Sequence, residues 1–555
     1  MPQNFIESRR GQGFLLPPDV RDWLPADHLA WFVIDAVTQM DLSAFYGAYR
    51  ADGHGRAAYE PSMMVTLVLY ANATNVRSSR AIECHCRQDV AYRVITGNVV
   101  PDHATIARFV VRHERALADL FGELLRLCDR AGLVKAELVA IDGTRMAGNA
   151  SQEASRDFTE IASEMLAEHK ATDEAEGEEL GEVRGDELRE QLRTPEGRRE
   201  FFRQARRKQR GEAGAQGLED AEPQASEPDV PESEASSESE ISAPQAPAAS
   251  CEPEGAAEPE VSEPKASCEP EYEFDAERII ARSQGRKGWL REAERQLERH
   301  RWENPDPIPR SRADRLLLAA ERLDDDLGAE HAGNEAFEHH RVHGRDAQGR
   351  RLAGTPTPYE PPQIPAGKVN VTDPDSGRLK TRIDFVQGFN TQAVVDEGQL
   401  VLAAEITNST VDWSQLDPML TATLAELARA GSASQLEVAL ADTQYWNEQH
   451  MDEVTANKHV QVLIPPDGPT GKQRKGWTGG RYDWMRAVLD SEHGGELYRK
   501  RKQIIEPVFG HTRHNRGVTH FLRRGRTAVR TEWRLLMMTH NLTKLHRHQI
   551  ATVGP

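Results

Sequence analysis

One long stretch of this chain cannot form a packed body. From Glu212 to Asp275 it carries 19 acids against one lysine, and Pro, Ala and Ser fill most of the remainder. "ASCEPE" occurs there twice, at 249–254 and 266–271. A segment so rich in charge and so poor in aromatics buries too little apolar surface to offset chain entropy, so about 212–275 is assigned as disordered. Whatever folds must be assembled from the two flanks.

The charge balance follows from the same segment. The chain totals -20, of which the acidic stretch supplies 19 acids minus one lysine, or -18. From Gly468 to Pro555 there are 18 Lys plus Arg against 6 acids, or +12. The acidic total therefore does not exclude a polyanionic partner, and the basic tail favours DNA. Five cysteines, Cys84, Cys86, Cys128, Cys251 and Cys268, give no disulfide framework. With no apolar run long enough for a membrane span and no signal-peptide core, the expectation is a cytoplasmic, nucleoid-associated protein that contacts no membrane.

Residues 1–135 read as helical. "DHLAWFVIDAVTQM", "PSMMVTLVLYANAT", "SSRAIECHCRQDVAYRVIT" and "DHATIARFVVRHERALADLFGELLRLCDRAG" place apolar residues three and four apart. Ser62, Ser78 or Ser79, and Asp102 are the N-cap candidates, and the last helix should stop near Gly132. Short helices joined by tight turns are compatible with helix-turn-helix DNA binding and equally with any small helical bundle. Polar helix-forming sequence then runs from about Ser151 to Arg210, and a second charged helical arm, "DAERIIARSQGRKGWLREAERQLERHR", follows the acidic segment. The two arms are placed to pair, with the acidic segment looping out between them.

After "TPTPYEPPQIPAGK" the pattern changes to period two. "DFVQGFNTQAVVD" and "QLVLAAEITN" read as a hairpin joined at Glu397 and Gly398. "QLDPMLTATLAELARA" reads as a helix, and "LEVALADTQYW" and "HVQVLIP" as further strands. Leu138 to Ile141 would be the first strand of this α/β plan, ending on Asp142, with Gly143 and Thr144 forming a turn. Val438 to Ala441 repeats the device and ends on Asp442. Each Asp alone would serve as a cap, but two parallel strands delivering carboxylates to the same end would bring hard oxygen ligands together, suited to Mg²⁺ or Mn²⁺. A third acid, Glu506, lies among Arg499, Lys500, Arg501, Lys502, Arg513 and Arg516 in "YRKRKQIIEPVFGHTRHNRG". Glu506 and Arg513, seven apart, would share a helical face, as in an ordinary salt-bridged surface or a phosphate-facing one.

These blocks, with "YEPSMMVTLVLYANATNVRSSRAIE", "PDHATIARF" and "RTEWRLLMMTHNLTKL", make the chain resemble the DDE transposases of bacterial insertion sequences. The resemblance implies an α/β fold: a ribonuclease H-like mixed sheet flanked by helices, an all-α N-terminal domain, and a helical or disordered insertion after the first catalytic strand. The expected division is 1–135 for the helical DNA-binding domain, 136–150 plus 365–548 for the catalytic domain, and 151–350 for the charged insertion. Asp142, Asp442 and Glu506 would be the three acids, holding two divalent ions, Mg or Mn, with no nucleophile on the protein. Tyr498, Arg501 and Glu506 match the related Tyr, Arg, Glu signature, with Arg513 where a lysine is usual. Two departures stand out: the interval from Arg501 to Glu506 is one residue longer than in the best-known form, and Pro507 would make the helix kink or begin there.

Tyr498, Arg499, Arg501, Lys502, Arg513, Arg516, Arg523 and Arg524 would contact DNA, both element terminal inverted repeats and target, in a homodimer or larger assembly. A catalytically inactive DNA-binding derivative and a metal-dependent nuclease on the same fold are the alternatives. "CHC" at Cys84 to Cys86 sends its thiols to divergent helix faces, against zinc. His511 and His514, like His546 and His548, read as surface or DNA-facing residues. Trp446, Trp484 and Trp533 read as core, with Trp446 a candidate for touching a displaced base. The turn Thr372 to Asp375 reads as structural, with Asp373 a candidate auxiliary contact.

Overall fold

A computed structural model describes residues 19, 22–49, 57–168, 272–276, 278, 279, 286–343, 360–381, 384–468, 473 and 477–553. The acidic segment as far as Glu271, most of the first helical arm, and Cys251 and Cys268 lie outside these residues; the last residues of that segment, expected to be disordered, are placed, with Tyr272 and Phe274 packed on a hydrophobic cluster. Residues 1–165 and 272–555 make one compact unit, to which everything below belongs.

Among the described residues seven helices come first: α1 (Leu29–Thr38), α2 (Ser43–Tyr46), α3 (Pro61–Ala73), α4 (Ser79–Gln88), α5 (Val90–Thr96), α6 (His103–Arg112) and α7 (Glu114–Arg130). Asp102 caps α6 by accepting from Thr105 N at 2.8 Å, as the sequence suggests. The cap of α3 is not Ser62 but Glu60, which accepts from Met63 N at 2.8 Å and precedes Pro61, a residue suited to the first helical position. The long helix expected from Asp102 to Gly132 is two, because the backbone leaves helical geometry at His113 (φ -106°, ψ 24°). Gly132, at φ +70°, follows the end of α7.

The sheet is mixed. Strand β1 (Leu138–Ala147) pairs antiparallel with β5 (Phe385–Asp396) and parallel with β7 (Val438–Leu440), which pairs parallel with β8 (Gln461–Leu463). Both β4 (Gly377–Lys380) and β6 (Val401–Thr407) pair antiparallel with the other edge of β5. A separate two-stranded sheet joins β2 (Ser155–Arg156) to β3 (Val369–Asn370). The hairpin, the buried strands and the α/β class are those expected. One feature differs: β1 does not end at Asp142 but runs five residues further, because β5 continues to pair with it as far as Ala147 opposite Gly388. Gly143 is a strand residue, and its lack of a side chain serves close packing rather than a turn. A Cβ there would lie 2.3 Å from Gln392 Nε2 and 2.9 Å from Asn390 Oδ1.

Beyond the sheet strands lie α8 (Arg286–Glu303), α9 (Arg312–His343), α10 (Leu416–Ala430), α11 (Glu448–Lys458), α12 (Gly480–Asp490), α13 (Glu492–Gly510) and α14 (Arg526–Val553). The second charged arm becomes α8 and packs on α9 through Trp289, Ala293, Leu297, Ala332 and Phe337. Its observed partner is thus the helix that follows it. One continuous core joins Val33, Leu67, Tyr92 and Leu125 of the leading helices to Val139, Val394 and Ala439 of the sheet and Trp533 of α14. None of the described helices is long and apolar enough to cross a membrane.

Candidate active site

The parallel register sets the two acids side by side. Leu138, Val139 and Ala140 lie opposite Val438, Ala439 and Leu440, so Asp142 and Asp442 occupy equivalent positions, each two residues beyond the last pair. β7 stops at Leu440 while β1 goes on, which leaves the Asp142 side chain 22% exposed in the middle of its strand. Asp442 turns out of the strand and accepts from Gln444 N at 2.8 Å, capping the short helical turn Thr443–Tyr445. The capping role is therefore real at Asp442, and it coexists with the pairing of the acids.

Helix α13 closes the site. Arg501, 8% exposed, donates to Asp142 Oδ2 at 2.9 Å, and Tyr498, one turn earlier, donates through its hydroxyl to Ala441 O at 3.3 Å. Residues three apart on a helix share a face, so the Tyr and Arg of the signature reach the end of β7 and the middle of β1 together. Burial pushes the Asp142 carboxyl up to about 6; Arg501 works against this and Asp442 adds to it. Burial also raises Asp442, against its hydrogen bond from Gln444 and the charge of Arg501, with Asp412 adding to the rise.

Asp412 escaped the sequence reading. It lies in the loop between β6 and α10, 7% exposed, and accepts from Asn390 Nδ2 at 2.6 Å and Gln392 Nε2 at 3.0 Å. Arg145 of β1 stands 3.9 Å from its Oδ2. Gln392 in turn accepts from the Tyr445 hydroxyl, so one polar network links Asp412 to the turn that follows Asp442. A lone Asp in "STVDWSQ" follows no hydrophobic run, and no pattern in the sequence marks it.

Glu506 is placed differently. It is exposed on α13, and it is not among the charges that act most strongly on Asp142 or Asp442. Among the described residues no three acid, His or Cys side chains stand close enough together to hold a metal ion. Arg499 and Lys502 are exposed, and Arg513 is half-buried and donates to Arg145 O. Arg516 is buried, its guanidinium spent on Leu536 O at 2.9 Å and Asn72 O at 2.5 Å, and its own carbonyl accepts from Asn75. Arg523 pairs with Glu114, and the exposed Arg524 donates to Asn149 O at 2.8 Å.

α13 does not begin at Pro507, one of the two outcomes expected there. α13 continues through it to Gly510 and turns to wider π geometry only at His511–Asn515. Proline removes the donor that would reach Gln503 O, and the Gln399 side chain supplies the replacement at 3.0 Å.

Trp533 is fully buried and donates to Gln392 O at 3.0 Å, and Trp446 is buried against Tyr482. Trp484, expected in the core, is instead 53% exposed, with Arg481 5.8 Å above its ring. Its helix α12 turns Tyr482 and Met485, with the partly buried Val488 and Leu489, toward the core and leaves Trp484 outside. Asp373 and Asp375 are buried in their turn, bonded to Gly525 N at 3.2 Å and Arg526 N at 3.0 Å. Cys86 is buried and its thiol pushed up to about 11, while Cys84 is exposed.

Two sequence families match the chain on either side of this geometry. "Transposase domain (DUF772)" covers residues 18–112, the helices α1 to α6, and "Transposase DDE domain" covers 473–546, including Tyr498, Arg501 and Glu506. Over these two stretches the chain carries the domains of a transposase, a DUF772 domain on the N-terminal side and a DDE domain that includes α13. No curated protein and no solved structure matches it.

Proposed function

We propose that this transposase binds the terminal inverted repeats of an insertion sequence and performs strand nicking and strand transfer at Asp142 and Asp442, on a ribonuclease H-like sheet. The observation that carries the reading is the placement of these two acids on adjacent parallel strands, under the Tyr498 and Arg501 pair of the DDE domain. Their carboxylates are hard donors whose charged forms are disfavoured by burial, and that chemistry fits Mg²⁺ or Mn²⁺. A bound divalent pair supplies an acidified water and charge neutralisation on phosphoryl oxygens.

The protein's own groups fix the geometry. Pairing with β5 on one side and β7 on the other holds Asp142 on a rigid strand, and Arg501 orients its carboxylate by a charge-assisted bond. Glu506, the third acid of the reading, is exposed on the same helix, and its part in the site rests on the family motif. The exposed Arg499 and Lys502 on the same helix would hold phosphates beside the scissile bond. The nucleophiles are water and the freed 3′ hydroxyl of DNA.

The test combines the purified chain, labelled element ends, Mg²⁺ or Mn²⁺ and a target plasmid. Nicking followed by joined product supports the reading. Binding without nicking makes this chain an inactive DNA-binding derivative, and nicking without joining makes it a nuclease. Asp142→Ala, Asp442→Ala and Glu506→Ala should each abolish nicking and leave end binding in place, and nicking retained by any one removes that residue from the site.

A further inference from the structure

A cavity of about 750 Å³ opens where four separated parts of the chain meet, three of which contribute arginines free of ion pairs. The junction of α6 and α7 contributes Arg112 and Arg115, the link between α8 and α9 contributes Arg310, and the turn before α14 contributes Arg524. All four arginines are exposed. The acids that line the same cavity are already engaged: Glu114 with Arg523, Asp119 with Arg429 at 3.8 Å, and Asp306 with Arg322 at 3.1 Å. Arg526, also at the wall, is held by Glu298 and Asp375.

None of the four arginines forms an ion pair within 4.0 Å among the described residues, although the charge of Arg524 is felt by the buried Asp373. Arg112 donates to Ala48 O and lies 4.5 Å over the Tyr49 ring, and Arg524 donates to Asn149 O, two residues beyond the end of β1. An ordinary solvated surface intersperses charges of both signs. Here the acids are neutralised by other arginines, and four like charges from three segments surround one concavity. That arrangement repels itself unless an anion fills it. Arg112 ends the region matched by the N-terminal family and Arg524 lies inside the region matched by the DDE family, so a ligand seated there touches both.

We propose that this concavity grips the phosphodiester backbone of DNA, fixing the duplex against the leading helices and the catalytic sheet at once. The proposal rests on the DNA reading above and adds a surface outside the paired acids and the Tyr498 to Arg513 helix. Contacts of this kind release counterions, so each one lost should lower the slope of log affinity against log salt by about 0.9.

The experiment measures binding of the full chain to two duplexes of equal length, one from the element end and one unrelated, between roughly 50 and 200 mM salt. Changing Arg112, Arg115, Arg310 and Arg524 together to Gln should flatten the slope by about 2 to 4 on both duplexes. Three lost contacts would change the ratio of affinities across that salt range roughly 40-fold. The corresponding Lys variant, which keeps the charge, should retain the wild-type slope and reports whether the fold has survived. An unaltered slope in the Gln variant, or an equal loss in the Lys variant, overturns the clamp. Absence of salt-dependent binding by the wild type would instead overturn the DNA reading and the clamp with it.

Discussion

Asp142→Asn isolates the electrostatic cost of the paired acids. An Asp in the unfolded chain titrates near 3.8, whereas in the fold burial holds the Asp142 carboxyl up at about 6, with Arg501 opposing and Asp442 reinforcing the rise. Between these two values the folded protein binds the proton more tightly than the unfolded chain does, so stability from this group falls as pH rises. The cost is complete above the folded value and absent well below the unfolded one. Two pH units correspond to about 3 kcal/mol, of which roughly 2 to 2.5 kcal/mol develops between about pH 4 and pH 7.5.

The neutral amide removes this titration while keeping the shape. Urea unfolding of wild type and variant across that range, without divalent ions, gives a difference in which the other raised acids, Asp373 and Asp396, cancel. Wild type should lose ground to Asp142→Asn as pH rises. Saturating Mg²⁺ should recover that loss in the wild type alone, since a cation bound to the folded state stabilises it. A difference that stays flat with pH, or grows in favour of the wild type, would refute the burial of Asp142 beside Asp442.

Gly388→Ala would drive a Cβ to 2.0 Å from Met146 O and 2.9 Å from Ala147 Cα, both backbone-flanked, so about 3 kcal/mol or more should be lost in thermal unfolding. Wild-type stability there would refute the pairing of β1 with β5. Arg516→Ala leaves the Asn72 and Leu536 carbonyls without their donor, and chemical denaturation should show a loss of roughly 2 to 4 kcal/mol, with the salt slope of DNA binding unchanged at low temperature. A reduced slope would instead make Arg516 a phosphate contact. For Asp412→Asn, which disturbs the bonds from Asn390 and Gln392 and the pairing with Arg145, a loss of about 1 to 3 kcal/mol is expected; denaturation curves that superimpose on the wild type would sink the network.

What the sequence made legible was periodic. Leu138 to Ile141 and Val438 to Ala441 announce buried strands, and their shared ending on an acid carries the pairing of Asp142 with Asp442. Where β1 stops was not legible, because strand length is set by the partner: β5 lies 238 residues further along the chain and goes on pairing to Ala147. Gly143 looked like a turn for the same reason, since only the folded sheet shows Gln392 and Asn390 pressed against it. Charge misled in a different way. Arg516 and Arg499 look alike in a basic run, yet one bonds buried carbonyls and the other faces solvent. The loop acid Asp412 had no period to betray it. Pro507 removes a helical donor as local rules say, yet the helix runs through it, and a distant glutamine side chain supplies the missing bond.

The shared core has a consequence for synthesis. Residues of α14 complete the packing of α3 and α7 as well as of the sheet, and β1 lacks both neighbours until β5 and β7 exist. At roughly 5 to 20 residues per second, the 238-residue step from the end of β1 to the start of β5 keeps β1 waiting about 12 to 48 s on the ribosome. The leading helices wait longer still for residues 526–553 to emerge. The nascent chain must therefore carry an unsealed apolar face through most of its translation, and its earliest helices become native only when nearly the last ones are made.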